Sequence, residues 1–94
     1  MRLIKEYLLI DNYASQTVYL PDRAKVVDVI KDSLGVKLIV IAPDCKKDTQ
    51  PRTFKICDTE EKFYAHAVKY IGYFIDADGQ NRFVIEDVPE VTLQ

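Results

Sequence analysis

The sequence predicts a mainly β fold, a small antiparallel sandwich or partly open barrel of about six to seven strands with one short helix. Three observations predict it. Val36 to Ala42, Val-Lys-Leu-Ile-Val-Ile-Ala, is apolar on both alternating faces and stops at Pro43, as expected of a central strand covered on both sides. Shorter β-branched or aromatic segments alternate along the rest of the chain. Between them stand Asp11-Asn12, Pro21-Asp22, Ser33-Leu34-Gly35 and Asp78-Gly79, the residue types that reverse a chain.

Taken in order, Leu3 to Ile10 is apolar apart from Lys5 and Glu6 and reads as a strand ending at the Asp11-Asn12 turn. Gln16 to Leu20 alternates, with Val18 and Leu20 on one face, and Pro21 ends it because proline cannot donate to a ladder. Lys25 to Lys31 and Val36 to Ala42 form a hairpin through Ser33-Leu34-Gly35, with the glycine at a positive φ. A helix over Arg23 to Leu34 is the rival reading, because Val26, Val27, Ile30 and Leu34 also fit a three-to-four spacing. The segment's β-branched content favours strand.

Pro43 to Pro51 reads as a polar surface loop bounded by prolines, and Arg52 to Cys57 resumes alternation with Phe54 and Ile56 on one face. Asp58-Thr59-Glu60-Glu61 has the spacing of a capping box, so a short helix is expected from there to about Ala67. Tyr70 to Ile75 and Arg82 to Val88 form a terminal hairpin around Asp76 to Asn81, and 90–94 is expected to be a frayed tail.

Ninety-four residues make a single domain, 1–94, and at that size burial of about 60–65% of the unfolded surface requires a compact core. No apolar run reaches the ~18 residues needed to cross a bilayer. Lys5 and Glu6 interrupt the place where a secretory signal would need its apolar stretch, so the expectation is a cytoplasmic protein. Cys45 and Cys57 match neither a metal knuckle nor a Cys-x-x-Cys redox pair and are read as free thiols, a disulfide across the intervening loop being the alternative. A net charge of −2 has the wrong sign for nonspecific nucleic-acid binding.

Chemistry-bearing constellations are sparse. His66, between Ala65 and Ala67, is the sole histidine, so any Ser-His-Asp, Cys-His or histidine metal site must include it. Asp76-Ala77-Asp78-Gly79 begins like a calcium loop, but its glycine is at the fourth position rather than the sixth, strands flank it, and Asp87 stands where a glutamate is required. Turn chemistry accounts for it. Glu86, Asp87, Asp76 and Asp78 read as a solvated face, and Gly35, Gly72 and Gly79 form no phosphate cradle. No enzyme class and no cofactor is indicated. Lys46, Lys47, Arg52 and Lys55 gather around the central loop while acids gather in the last hairpin against Arg82 alone, a separation that can orient a protein against a charged partner. Tyr64, Tyr70 and Tyr73 could stack on nucleic-acid bases, but only Lys62 and Lys69 accompany them, so core and rim packing is favoured.

Gln16-Thr17-Val18-Tyr19-Leu20-Pro21-Asp22-Arg23-Ala24-Lys25-Val26, Arg52-Thr53-Phe54-Lys55-Ile56 and Tyr70-Ile71-Gly72-Tyr73-Phe74 resemble a family of small tailed-bacteriophage proteins that has no assigned activity. That family has a Gln-Thr-(apolar)-x-(apolar)-Pro-x-x-Ala-x-(apolar) opening, a central Arg-x-(aromatic or aliphatic)-x-Ile strand and a Tyr-Ile-Gly-Thr-like strand near the end. Asp58 to Lys69 departs from its glycine- and proline-containing loop. The resemblance implies phage origin and a compact β-rich fold, and it carries over no functional residue. The expectation is therefore a protein–protein interaction module that binds a host protein, with Lys46, Lys47, Arg52, Tyr64 and His66 as candidate contact residues. The alternatives are a single-stranded nucleic-acid-binding barrel and, lower, a cofactor-free enzyme using His66.

Overall fold

The computed structural model describes residues 2–43, 48–58 and 68–88. Seven strands run β1(Arg2–Leu9), β2(Gln16–Pro21), β3(Lys25–Asp32), β4(Gly35–Pro43), β5(Thr49–Cys57), β6(Val68–Ile75) and β7(Asn81–Asp87). They build two antiparallel sheets, sheet A in the order β1-β4-β3 and sheet B in the order β2-β5-β7-β6. The expected strands and both hairpins are present, and Arg23 to Leu34 holds strand β3 and its turn rather than a helix. The expected helix after Asp58 and the 90–94 tail lie outside the described residues.

Each sheet buries one face because its strands alternate. On β4, Val36, Leu38, Val40 and Ala42 are buried, and they meet Phe54 and Ile56 of β5, Ile71 and Phe74 of β6, Val84 of β7 and Leu20 of β2 in one core. Burying a side chain such as Phe54 or Leu38 is worth roughly 1.5–3 kcal/mol, so these positions carry most of the stability. The turn between β3 and β4 has Gly35 at φ 128°, a region closed to other residues. The expected loop is shorter than its prolines suggest, since β5 starts at Thr49. Pro51 is tolerated inside β5 because it pairs with Tyr19 of β2 at a point where the ladder to β7, which begins at Thr53, has not yet formed.

The two sheets close against each other along one side, where β3 meets β6. A Cβ built on Gly72 would lie 3.4 Å from both Asp28 Oδ1 and the Val29 nitrogen, at the near limit of ordinary contact, so β6 packs directly against β3 here. The Val29 N–H donates to Asp28 Oδ1 at 2.8 Å, beside a bulge in β3 between Val26 and Asp28. A short acidic side chain thus satisfies a donor on this edge, and no ladder joins the two strands. Lys31 Nζ donates to Asp76 Oδ1 at 2.6 Å and lies 5.5 Å from the Phe74 ring centroid, fastening one end of this seam.

Candidate functional site

Arg52 is the one expected contact residue among the described positions, and it is used inside the molecule. Its Nε and Nη2 donate to Glu86 Oε2 and Oε1, both at 2.6 Å, and its Nη1 donates to the Ala24 carbonyl at 2.7 Å. Register explains the pairing: Phe54 is opposite Glu86, so Arg52, two residues earlier on the same inward face, reaches the carboxylate diagonally. The reading of Glu86 as part of a solvated face is corrected, because its side chain is 8% exposed and forms a two-point ion pair at the rim of the core. Lys46, Lys47, Tyr64 and His66 lie outside the described residues.

The last hairpin also differs from its sequence reading. Arg82 donates to the Tyr13 hydroxyl at 2.6 Å and to Asp78 at 2.9 Å, with Asp58 and Asp76 close by, and Lys31 joins the same group from β3. These acids are consumed by internal cations. Hydrogen bonding to Lys31 holds the Asp76 carboxyl below its ordinary value, and hydrogen bonding to Lys37 does the same for Asp32. Cys57 is a free, fully buried thiol whose pKa burial pushes up, which makes it unreactive.

Sheet A's outer face has a different character. Register places Arg2, Ile4, Glu6 and Leu8 of β1 opposite Pro43, Ile41, Ile39 and Lys37 of β4, and on the other side Lys25 opposite Ile41 and Ile30 opposite Lys37. All of these point away from the core. Ile4 is 75% and Leu8 61% exposed, while Ile39, Ile41 and Ile30 are half-buried. The expectation that both faces of Val36 to Ala42 are covered is therefore corrected: the inner face is sealed, while the outer face is a half-buried stripe in which Ile39 and Ile41 lie between exposed Ile4 and Leu8 of β1 and Ile30 of β3, with Glu6, Lys37 and Asp28 among them. Single exposed apolar residues are ordinary; here two, Ile4 and Leu8, share a face with three half-buried isoleucines. Beside it, β1 is, among the described residues, an unpaired edge of eight residues without proline. The free edge of sheet B, β2, is shorter and ends at Pro21.

One end of the stripe is basic. Arg2, Arg23 and Lys25 line a depression of about 190 Å³ floored by Ile41, Ala42 and Pro43. Among the described residues none of the three cations has an ion pair or a side-chain hydrogen bond. Arg23 is held there by a turn in which the Ala24 N–H donates to the Pro21 carbonyl at 3.0 Å, and its own φ is 63°. For an arginine this left-handed backbone is strained.

Sheet B's outer face carries a smaller aromatic group. Tyr70 and Tyr73, 57% and 56% exposed, flank Phe83 with centroid separations of 6.3 and 6.5 Å. Neither lies in the core, and both pack against half-buried Phe83. No protein-family model matches the chain, and neither a curated protein nor a solved structure is similar enough to it to count as a match. Among the described residues no group of three or more potential metal ligands converges, and no helix is long and apolar enough to cross a membrane.

The sequence reading missed Arg2, Ile4, Leu8, Arg23 and Lys25. A signal for part of this was present, since Leu3 to Ile10, like Val36 to Ala42, is apolar on both faces although only one can enter the core.

Proposed function

We propose that this chain is a protein–protein interaction module of phage origin that acts in the host cytoplasm by binding, and so modulating, a host protein such as a defence or transcription component. The observation that carries this reading is the half-buried stripe of sheet A, with Ile4 and Leu8 exposed on it, lying beside the unpaired β1 edge. A partner strand can add to that edge through main-chain hydrogen bonds while its side chains meet the stripe. The phage origin rests on the motif resemblance alone.

The test is affinity capture of the tagged full chain from nuclease-treated bacterial lysate, alongside an Ile4→Lys, Leu8→Lys variant. One dominant host protein retained by the wild type and lost from the folded variant supports the reading. Equal recovery by both removes the β1 edge and stripe as the surface.

The exposed Tyr70, Phe83 and Tyr73 group favours a second reading, a surface that stacks single-stranded nucleic-acid bases. It requires steeply salt-dependent binding that Tyr70→Ala with Tyr73→Ala abolishes. No binding at low salt removes it.

A further inference from the structure

The partner's chemistry can be narrowed from the order of charges along β1. Resting on the interaction-module reading, we infer that the β1 edge takes an extended peptide strand in the antiparallel sense, with an apolar residue opposite Leu8, a basic one opposite Glu6, an apolar one opposite Ile4 and an acidic one opposite Arg2. Read from the partner's N-terminus this is apolar-x-basic-x-apolar-x-acidic.

Three observations support that order. The four β1 side chains share the outer face, and residues directly opposite on a paired strand share a face, so each meets one partner side chain. Glu6 is exposed, its nearest cation, Lys37, standing 3.7 Å away and already donating to Asp32 at 2.9 Å, so it can accept a second cation. At the other end Arg2 is exposed and has no ion pair among the described residues, so an acidic residue directly opposite it meets a cation. Antiparallel addition continues the pairing of every strand already in the sheet.

The same charges reject a second copy of this chain. The two antiparallel self-pairings that keep the faces aligned and use seven of the eight residues set Lys5 against Lys5 or Glu6 against Glu6, and like charges directly opposite are unfavourable. Lys5, exposed on the row that faces inward, also discourages indiscriminate strand addition.

The test uses fluorescence anisotropy with the full chain and two capped, labelled peptides, one containing Val-Thr-Lys-Thr-Val-Thr-Glu and one with its charges exchanged, Val-Thr-Glu-Thr-Val-Thr-Lys. The first is expected to bind about tenfold more tightly than the second, because two opposite-charge pairs become two like-charge pairs. Arg2→Glu, at an exposed position, is expected to shrink that preference while circular dichroism shows the fold retained. Equal binding of both peptides overturns the charge order. Concentration-dependent dimerisation that Leu8→Lys abolishes overturns the exclusion of a second copy. Salt-sensitive binding of an oligothymidylate, lost on charge reversal and without peptide discrimination, reassigns the cations to phosphate. If neither peptide binds while the Ile4→Lys, Leu8→Lys variant still loses its captured protein, the strand inference falls and the interaction reading stands; if that variant captures as the wild type does, the reading falls with it.

Discussion

The two edges of sheet A are treated in opposite ways. The β3 edge is closed without a ladder: Asp28 occupies the Val29 N–H, a bulge bends the strand, β6 packs against it at Gly72, Lys31–Asp76 fastens one end and the Arg52 contact to Ala24 the other. The β1 edge has none of these devices, and beside it stand Ile4 and Leu8, two of the most exposed large apolar residues described. An edge the fold needs is blocked by local polar chemistry and direct packing, whereas an edge left open carries side chains suited to another chain. The difference places the internal fastenings on one side of the sheet and, on the reading proposed above, recognition on the other.

Substitutions at the closed edge should therefore cost stability. The largest effect is expected from Glu86→Ala, which strands the Arg52 guanidinium at the core rim and should lower unfolding free energy by about 3–5 kcal/mol in urea titrations. Arg52→Met with Glu86→Leu should recover much of that loss, because no buried charge is then left unpaired.

Gly72→Val should cost about 1–3 kcal/mol, since its added methyls have no room against Val29. Gly72→Ala should be far milder, its Cβ meeting neighbours at ordinary contact distance. A Val effect no larger than the Ala effect would show that the seam is looser than described.

Arg23→Gly should stabilise by up to about 1 kcal/mol, read as a higher urea midpoint. The seam should also show pH dependence. The Asp76 carboxyl is held below its ordinary value of 3.8, chiefly by Lys31, so the stabilisation is complete above that value and disappears as pH falls through the lowered one. Asp76→Asn should remove that part of the acid dependence of the melting temperature and leave the stability near neutral pH lower than in the wild type.

The smallest stability effect is expected at the open edge. Leu8→Lys should change unfolding free energy by no more than about 0.5 kcal/mol while abolishing strand addition. A loss of several kcal/mol would mean that Leu8, which rests over Gly35, belongs to the folding core instead.

The sequence by itself determined six to seven strands, most of their turns and, in β2 and β5, the inward face, because period-two alternation and turn residues act over a few neighbours and leave a local trace. The terminal hairpin and the β3–β4 hairpin were legible for that reason, and Gly35 announced its positive φ. Partnership between distant residues leaves no such trace. Arg52 and Glu86 are 34 positions apart, and only register and the inward pointing of both side chains turned two apparent surface charges into one ion pair. Arg2, Arg23 and Lys25 belong to three separate segments and became one cationic depression only when β1 and β3 were laid on either side of β4. Both apolar faces of β1 and β4 were visible in the sequence, but which of them would be left open was a tertiary decision, because a two-layer fold covers one face of each sheet and leaves the other to solvent or to a partner.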